Sequence, residues 1–231
     1  MKIAGLQKIS MVDYPGLICA TVFTQGCNFR CGFCHNRDLM MTGTDFGFSQ
    51  QELFEHLNSR NNMIEGVCIT GGEPTLWPDL PDFARQIKNT GLKLKLDTNG
   101  SNPEMIKDLL QSGLLDYVAM DVKTSLEKYH LFKVPEKTEE SLLLSMQEIM
   151  SSKIPYEFRT TCVPGVVTEE DICSIARGIE GAKKYCLQQF RPHENVIDEK
   201  FSRLKPYSKN KLDKFKSISE TFVEDVIIRG I

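Results

Sequence analysis

The chain is short of several things, and each shortage excludes a class of protein. It has no basic excess: 28 Lys and Arg stand against 31 Asp and Glu, for a net charge of −3. Its basic residues are scattered rather than gathered in a stripe, so broad binding to a phosphate backbone is excluded and no nucleic acid partner is expected. No apolar run comes near the roughly 20 residues that cross a bilayer. The opening Met1-Lys2-Ile3-Ala4-Gly5 lacks the basic region, apolar stretch and cleavage site of a secretion signal. A cytoplasmic protein without a membrane partner is the expectation. The chain also lacks a repeat of fixed period, a low-complexity tract and a Pro/Gly/Ser linker. Residues 1–231 are therefore expected to form one domain, with 200–231 as a C-terminal extension packed on it.

Cysteine is not scarce, but a fourth clustered cysteine is. Of the eight cysteines (19, 27, 31, 34, 68, 162, 173 and 186), only Cys27, Cys31 and Cys34 lie close together, spaced C-x-x-x-C-x-x-C. An unsecreted chain of this length does not need disulfide staples, so reduced thiols are expected. Cys19 and Cys68 fall in apolar strand-like runs, where a free cysteine behaves as a small hydrophobe. Cys162, Cys173 and Cys186 show no ligand spacing. A [4Fe–4S] cube normally takes four thiolates, so a clustered trio suggests a cube with one iron left for a substrate or cofactor. The plain alternative is zinc. A zinc tetrahedron wants two close pairs or a cysteine–histidine quartet, and His35, directly beside Cys34, is poorly placed to complete one.

Apolar, β-branched runs alternate with amphipathic stretches from end to end, the α/β pattern of βα units around a parallel sheet. Strands are expected at 17–24, 66–70, 92–97, 117–121, 156–163 and 184–190, and helices at 49–59, 79–90, 103–112, 138–152, 168–178 and 209–219. Helix start signals are Ser49 ahead of Glu52, Asn102 ahead of Pro103 and Thr168 ahead of Asp171. The apolar run 222–228 closes the chain as a lid element or an added edge strand. Chemistry in such a sheet sits in loops after the carboxyl ends of the strands. The polar motifs follow that rule. The cysteine loop comes after the first expected strand, Thr70-Gly71-Gly72-Glu73-Pro74 after the second, Asp97-Thr98-Asn99-Gly100 after the third and Asp121-Val122-Lys123 after the fourth. Arg159 lies within the fifth and His193 follows the sixth.

Each motif also has an ordinary reading. Gly71-Gly72 alone is a tight turn; with Glu73 it becomes a close backbone approach to a ligand, beside a carboxylate that accepts from an ammonium group. Asp97 and Asp121 either cap the following helices or, with Thr98, supply oxygens to a small cation. Lys123 and Arg159 are either structural ion pairs or ligand contacts. A strand-interior arginine needs a buried or lumen-facing partner, and a ligand carboxylate suits it. His193 is a solvated loop histidine or a rim residue. Phe33, just before the third cysteine, offers a flat apolar face. Convergence on one rim favours the functional readings.

The pattern C-x-x-x-C-x-aromatic-C, followed by Gly-Gly-Glu-Pro after the second strand, resembles the radical S-adenosylmethionine (SAM) enzymes. Within that superfamily, Cys34-His35-Asn36-Arg37-Asp38, Leu96-Asp97-Thr98-Asn99-Gly100, Asp121-Val122-Lys123, Arg159 with Val163-Pro164-Gly165, and His193 are similar to the activating enzymes of glycyl radical proteins. The opening Met11-Val12-Asp13-Tyr14-Pro15-Gly16 is similar to the longer type of anaerobic ribonucleoside-triphosphate reductase activating protein.

The resemblance implies a partial (β/α)6 TIM-like barrel of the radical SAM type. It implies a [4Fe–4S] cluster on Cys27, Cys31 and Cys34, with SAM on the remaining iron through its methionine amino and carboxylate groups. Phe33, Cys34 and His35 would border the adenine, with Asn36 close by. Gly72 and Glu73 would meet the methionine amino group, Asp121, Val122 and Lys123 would line the ribose and carboxylate side, and His193 would approach the adenosyl moiety; Arg159 joins this set. Asp97, Thr98 and Asp121 match positions that hold a monovalent cation in pyruvate formate-lyase activating enzymes. The implied reaction is one-electron cleavage of SAM to methionine and a 5′-deoxyadenosyl radical, which takes hydrogen from a glycine Cα of a partner glycyl radical enzyme. Anaerobic ribonucleoside-triphosphate reductase is the implied partner, with pyruvate formate-lyase or another glycyl radical enzyme as the alternative. The implied electron donor is a flavodoxin or ferredoxin-like protein, and an open lateral gap in the barrel would admit the partner's glycine loop. The span 36–49 leaves no room for the cysteine-rich inserted domain of many other activators, which implies a single-cluster enzyme. Two rivals stay open. One is a radical enzyme acting on a small molecule, such as a ring-forming enzyme of deazaguanine biosynthesis. The other is a non-catalytic iron–sulfur carrier or redox sensor, which leaves 71–74, 97–100 and His193 unexplained.

Overall fold

A computed structural model describes residues 1–40, 48–60 and 62–231. Part of the short 36–49 span, residues 41–47, thus lies outside the described residues. In chain order the strands are β1 (Ile3–Ser10), β2 (Cys19–Thr24), β3 (Gly66–Gly71), β4 (Lys93–Thr98), β5 (Tyr117–Asp121), β6 (Tyr156–Cys162), β7 (Tyr185–Gln189) and β8 (Val226–Arg229). The helices are α1 (Gln50–Ser59), α2 (Leu80–Asn89), α3 (Pro103–Gln111), α4 (Thr138–Ser151), α5 (Glu169–Gly178) and α6 (Lys209–Ser219). All eight strands form one sheet in sequence order. β1 runs antiparallel to β2 and every later pair is parallel.

The six expected strands are β2 to β7, and the sheet is larger than expected by one strand at each edge. β1 escapes a period-two reading because Gly5 interrupts it and its pairing with β2 shifts register twice. The 222–228 run resolves toward the edge-strand alternative, since β8 pairs with β7 and α6 packs beside them. The expected start signals are present in atomic detail. Ser49 with Glu52 and Thr168 with Asp171 form reciprocal capping boxes, and the Asn102 side chain accepts from Met105 N ahead of α3.

Strand alternation divides the interior into two unlike regions. One face of the sheet, with Val22, Ile69, Leu96, Met120, Phe158 and Leu187, packs under the helices in a continuous apolar layer. Each such fully buried side chain contributes about 1.5–3 kcal/mol relative to leaving it in water. The opposite face lines a lumen. Its small apolar patch of Tyr14, Cys19, Cys68, Tyr117 and Ala119 gives way to Lys95, Asp97, Asp121, Glu157 and Arg159. One chamber touches the 12–15 loop, β4, β6, β7 and β8 together, so the sheet curls into an open barrel. Among the described residues no helix is long and apolar enough to cross a membrane.

Candidate active site

The cysteine loop begins where β2 ends and is held by its neighbours' backbones. Gly72 N donates to Thr24 O at 2.9 Å and Glu73 N donates to Gly26 O at 2.8 Å. A Cβ on Gly72 would lie 1.8 Å from Gly26 O, and Gly71 sits at φ +109°, a conformation open to glycine. The two glycines therefore serve contact between the β3 terminus and the root of the cysteine loop. Both also line the cavity described next. Farther along, Arg30 N donates to Phe132 O and Asp198 N donates to Gly32 O, which ties the loop to the far rim.

Cys27, Cys31 and Cys34 line one cavity of about 260 Å³, together with Phe33, Asn36, Gly72, Glu73, Asp97, Thr98, Asp121, Lys123 and Arg159. Twelve expected site residues thus meet in one place. Val122, His35 and His193 do not line the cavity. Val122 is buried, and its backbone N donates to Arg159 O across the sheet at 2.8 Å. His35 and His193 pair as rings 5.4 Å apart at the rim, where His35 Nε2 hydrogen-bonds with Arg191 O at 3.0 Å. His193 Nδ1 accepts from Asn195 N, and Asn195 reaches back to Asp38. The histidines therefore link the loop after β7 to the end of the cysteine loop.

The cavity floor is a buried chain of alternating charge. Register sets Asp121 beside Arg159 on neighbouring strands, and Arg159 Nε donates to Asp121 at 2.8 Å while its Nη1 reaches Asp97 at 3.1 Å. Lys123 Nζ donates to the other Asp121 oxygen at 2.9 Å, and Lys95 pairs with Asp97. The partner that Arg159 requires is thus the protein's own pair of carboxylates, as in the structural ion-pair reading. Burial alone would raise the Asp121 pKa, but Arg159 and Lys123 hold it well below the usual carboxylate range. Burial likewise works against the Lys123 ammonium, and Asp121 outweighs it, so Lys123 stays charged. The Asp97 and Asp121 oxygens expected to hold a cation are engaged by Lys and Arg, and Thr98 Oγ1 donates to Glu73.

Glu73 is fully buried, and desolvation raises its pKa against the hydrogen bonds it receives. Oε1 accepts from Thr75 N, Thr75 Oγ1 and Thr98 Oγ1, whereas Oε2 accepts from Asn99 N alone at 2.6 Å. Only Oε2 keeps capacity for a cofactor ammonium. Phe33 packs edge-on against Phe132 and Phe201, forming an apolar wall behind the thiols. Sequence reasoning did not single out Gln188, Phe29 or Lys95 for the lumen. Lys95 was legible, because period-two alternation puts it on the same face as Asp97.

Among the described residues no three Cys, His, Asp or Glu side chains converge as a single metal ion requires. A zinc site would need its ligands to meet at one tetrahedral centre. A cube sets each thiolate on its own iron at a separate corner, so three thiols around one cavity suit it. Burial pushes the Cys31 thiol up to about 12 and the Cys27 thiol up to about 11, so loading must release protons. Phe29 N donates to Cys27 Sγ at 3.4 Å, a contact that favours a thiolate. No other described cysteine lines the cavity.

A three-thiol loop over a curled parallel sheet defines an iron–sulfur cofactor barrel. Residues 21–177 match the Radical SAM superfamily. A Methanocaldococcus jannaschii protein described as a candidate glycyl-radical enzyme activating enzyme is 36% identical over 99% of this chain and 96% of its own. The pyruvate formate-lyase 1-activating enzyme of Escherichia coli K12 is 25% identical over 98% of both chains. The chain belongs to the radical SAM superfamily and, within it, to the family of glycyl-radical enzyme activating enzymes. Solved structures agree on the fold. Streptococcus suis SuiB bound to SAM superposes with a TM-score of 0.66 at 14% identity over 90% of this chain and 49% of its own. TYW1 with a lysine–pyruvate adduct gives 0.61 at 16% identity over 88% and 73%. The superfamily's cofactors are a [4Fe–4S] cluster and SAM, and the donor set here fits both.

Proposed function

We propose that the protein makes a glycyl radical on a partner enzyme, with anaerobic ribonucleoside-triphosphate reductase as the partner and a flavodoxin or ferredoxin-like protein as electron donor. Cys27, Cys31 and Cys34 would hold the cluster. When bound and reduced, the cluster with SAM supplies a one-electron cleavage whose deoxyadenosyl fragment takes hydrogen from glycine Cα. The chain's residues bind, orient and shield. Lys123, fixed by Asp121, would donate to the methionine carboxylate, and Glu73 Oε2 would accept an N–H from the iron-bound methionine amine. Phe29 and Phe33 give the adenine an apolar wall that excludes water and stray hydrogen donors. No side chain need act as an acid or base.

The observation that carries this reading is the cavity itself: three thiols without a fourth, opening onto a fixed ammonium, guanidinium and carboxylate array. The full-length similarity to activating enzymes supports a protein substrate. The test is anaerobic incubation with SAM, a reductant and candidate glycyl radical proteins, followed by electron paramagnetic resonance. The expected result is a glycine-centred doublet on the reductase; a doublet on pyruvate formate-lyase alone reassigns the partner. SAM cleavage with no doublet on any candidate would overturn the activase reading in favour of a small-molecule substrate.

A further inference from the structure

We propose that Lys95 is a tethered cation: its ammonium takes the place that the resemblance gives to a monovalent ion, so this enzyme neither takes up nor needs one. The inference rests on reading the cavity as the SAM site, and it concerns the five oxygens expected to hold the ion. Asp97 Oδ1 accepts from Lys95 Nζ, and Asp97 Oδ2 accepts from Arg159 Nη1 at 3.1 Å. The Asp121 oxygens accept from Arg159 Nε at 2.8 Å and from Lys123 Nζ at 2.9 Å. Thr98 Oγ1 donates to Glu73 and accepts from Gly100 N. Each carboxylate oxygen keeps a second lone pair, but the charge balance leaves no room. Three cations already neutralise these two carboxylates, so a further positive ion would find little net attraction there.

Lys95 is built for this place rather than stranded in it. Its side chain is 2% exposed, and an ammonium so deep costs several kcal/mol unless it is paired. It stands two residues before Asp97 on β4, and strand alternation aims both into the lumen. Asp13 shares its lower chamber but accepts from Thr21 Oγ1 at 2.7 Å. Glu157, which shares the lower chamber, is held by both Arg229 nitrogens at 2.8 and 2.7 Å. The remaining neighbours, the Cys68 thiol and the Tyr117 ring, are neutral. Lys95 thus acts through Asp97, as a positioning residue for the Asp97–Arg159–Asp121–Lys123 chain.

The test compares wild type with Lys95→Met in potassium, sodium and tetramethylammonium salts. Sodium-23 NMR line width on the cluster-free protein reports ion binding, and SAM affinity of the reconstituted protein reports positioning. Wild type is expected to show no saturable sodium broadening and the same SAM affinity in all three salts. Lys95→Met, with Asp97 Oδ1 vacated, is expected to gain saturable broadening that potassium reverses. Its SAM affinity should fall about tenfold in tetramethylammonium, the loss of one charge-assisted contact, and recover in potassium. Lys95→Arg should stay indifferent to the salt. Saturable sodium broadening in wild type would overturn the proposal, and this holds even if Lys95→Met fails to fold. Salt-independent SAM affinity in a folded Lys95→Met would also overturn it. A protein that bound no SAM in any salt would sink the activase reading, while the sodium measurement would still decide this one.

Discussion

Phe158 and Arg159 are neighbours on β6 and face opposite sides of the sheet. Phe158 is wholly buried in the apolar layer beneath the helices, where it packs edge-on against Tyr156. Arg159 points into the lumen and bridges Asp97 and Asp121. A closed TIM barrel fills its interior with branched apolar side chains. Here the sheet stays open, one layer of packing under the helices carries the stability, and the lumen is free to hold charge. The difference teaches that stability and chemistry are assigned to alternate residues of the same strands.

Five substitutions break or sharpen that division. The largest effect belongs to Cys31→Ala: iron content should fall from about four per chain to near zero and SAM cleavage should be lost, while the thermal midpoint of the cluster-free protein barely moves. Retained cleavage would remove the cysteine loop from the site. Next, Phe158→Ala should cost about 3–5 kcal/mol of stability without changing SAM affinity in the folded fraction. Arg159→Met should reduce both stability and SAM affinity, because it removes the bridge between two buried carboxylates and leaves each with a single lysine. Denaturant titration beside calorimetry tests the pair, and loss of SAM affinity in folded Phe158→Ala would show that the two faces are not separable. A smaller effect is expected for Gly72→Ala, whose Cβ would collide with Gly26 O; overpacking of this kind costs about 1–3 kcal/mol, read out as faster cluster loss under a chelator. Smallest, His193→Ala should weaken SAM binding about threefold, the scale of one hydrogen bond, and leave the iron content intact. Unchanged affinity would reduce His193 to a link between rim loops.

Much of this was legible in the sequence because periodicity and motif spacing are local. Six parallel strands, three helix caps and the meeting of Cys27, Glu73, Asp121 and Lys123 on one rim follow from where polar motifs fall after apolar runs. What stayed hidden depends on packing across the fold. Nothing near Gly72 in sequence tells that its missing side chain serves Gly26, forty-six positions earlier. Arg159 announced its need for a partner, but only the register of β5 against β6 names Asp121. β1 was missed because its glycine and register shifts blur the alternation on which strand reading relies.

The most direct measurement is the paramagnetic resonance spectrum of the reduced, reconstituted protein with and without SAM. An iron corner free of protein thiolate predicts about four irons per chain and a spectrum that shifts when SAM is added, saturating at one equivalent. A reduced four-iron cluster whose spectrum is identical with and without saturating SAM would mean that the corner is already ligated, and would contradict the assignment.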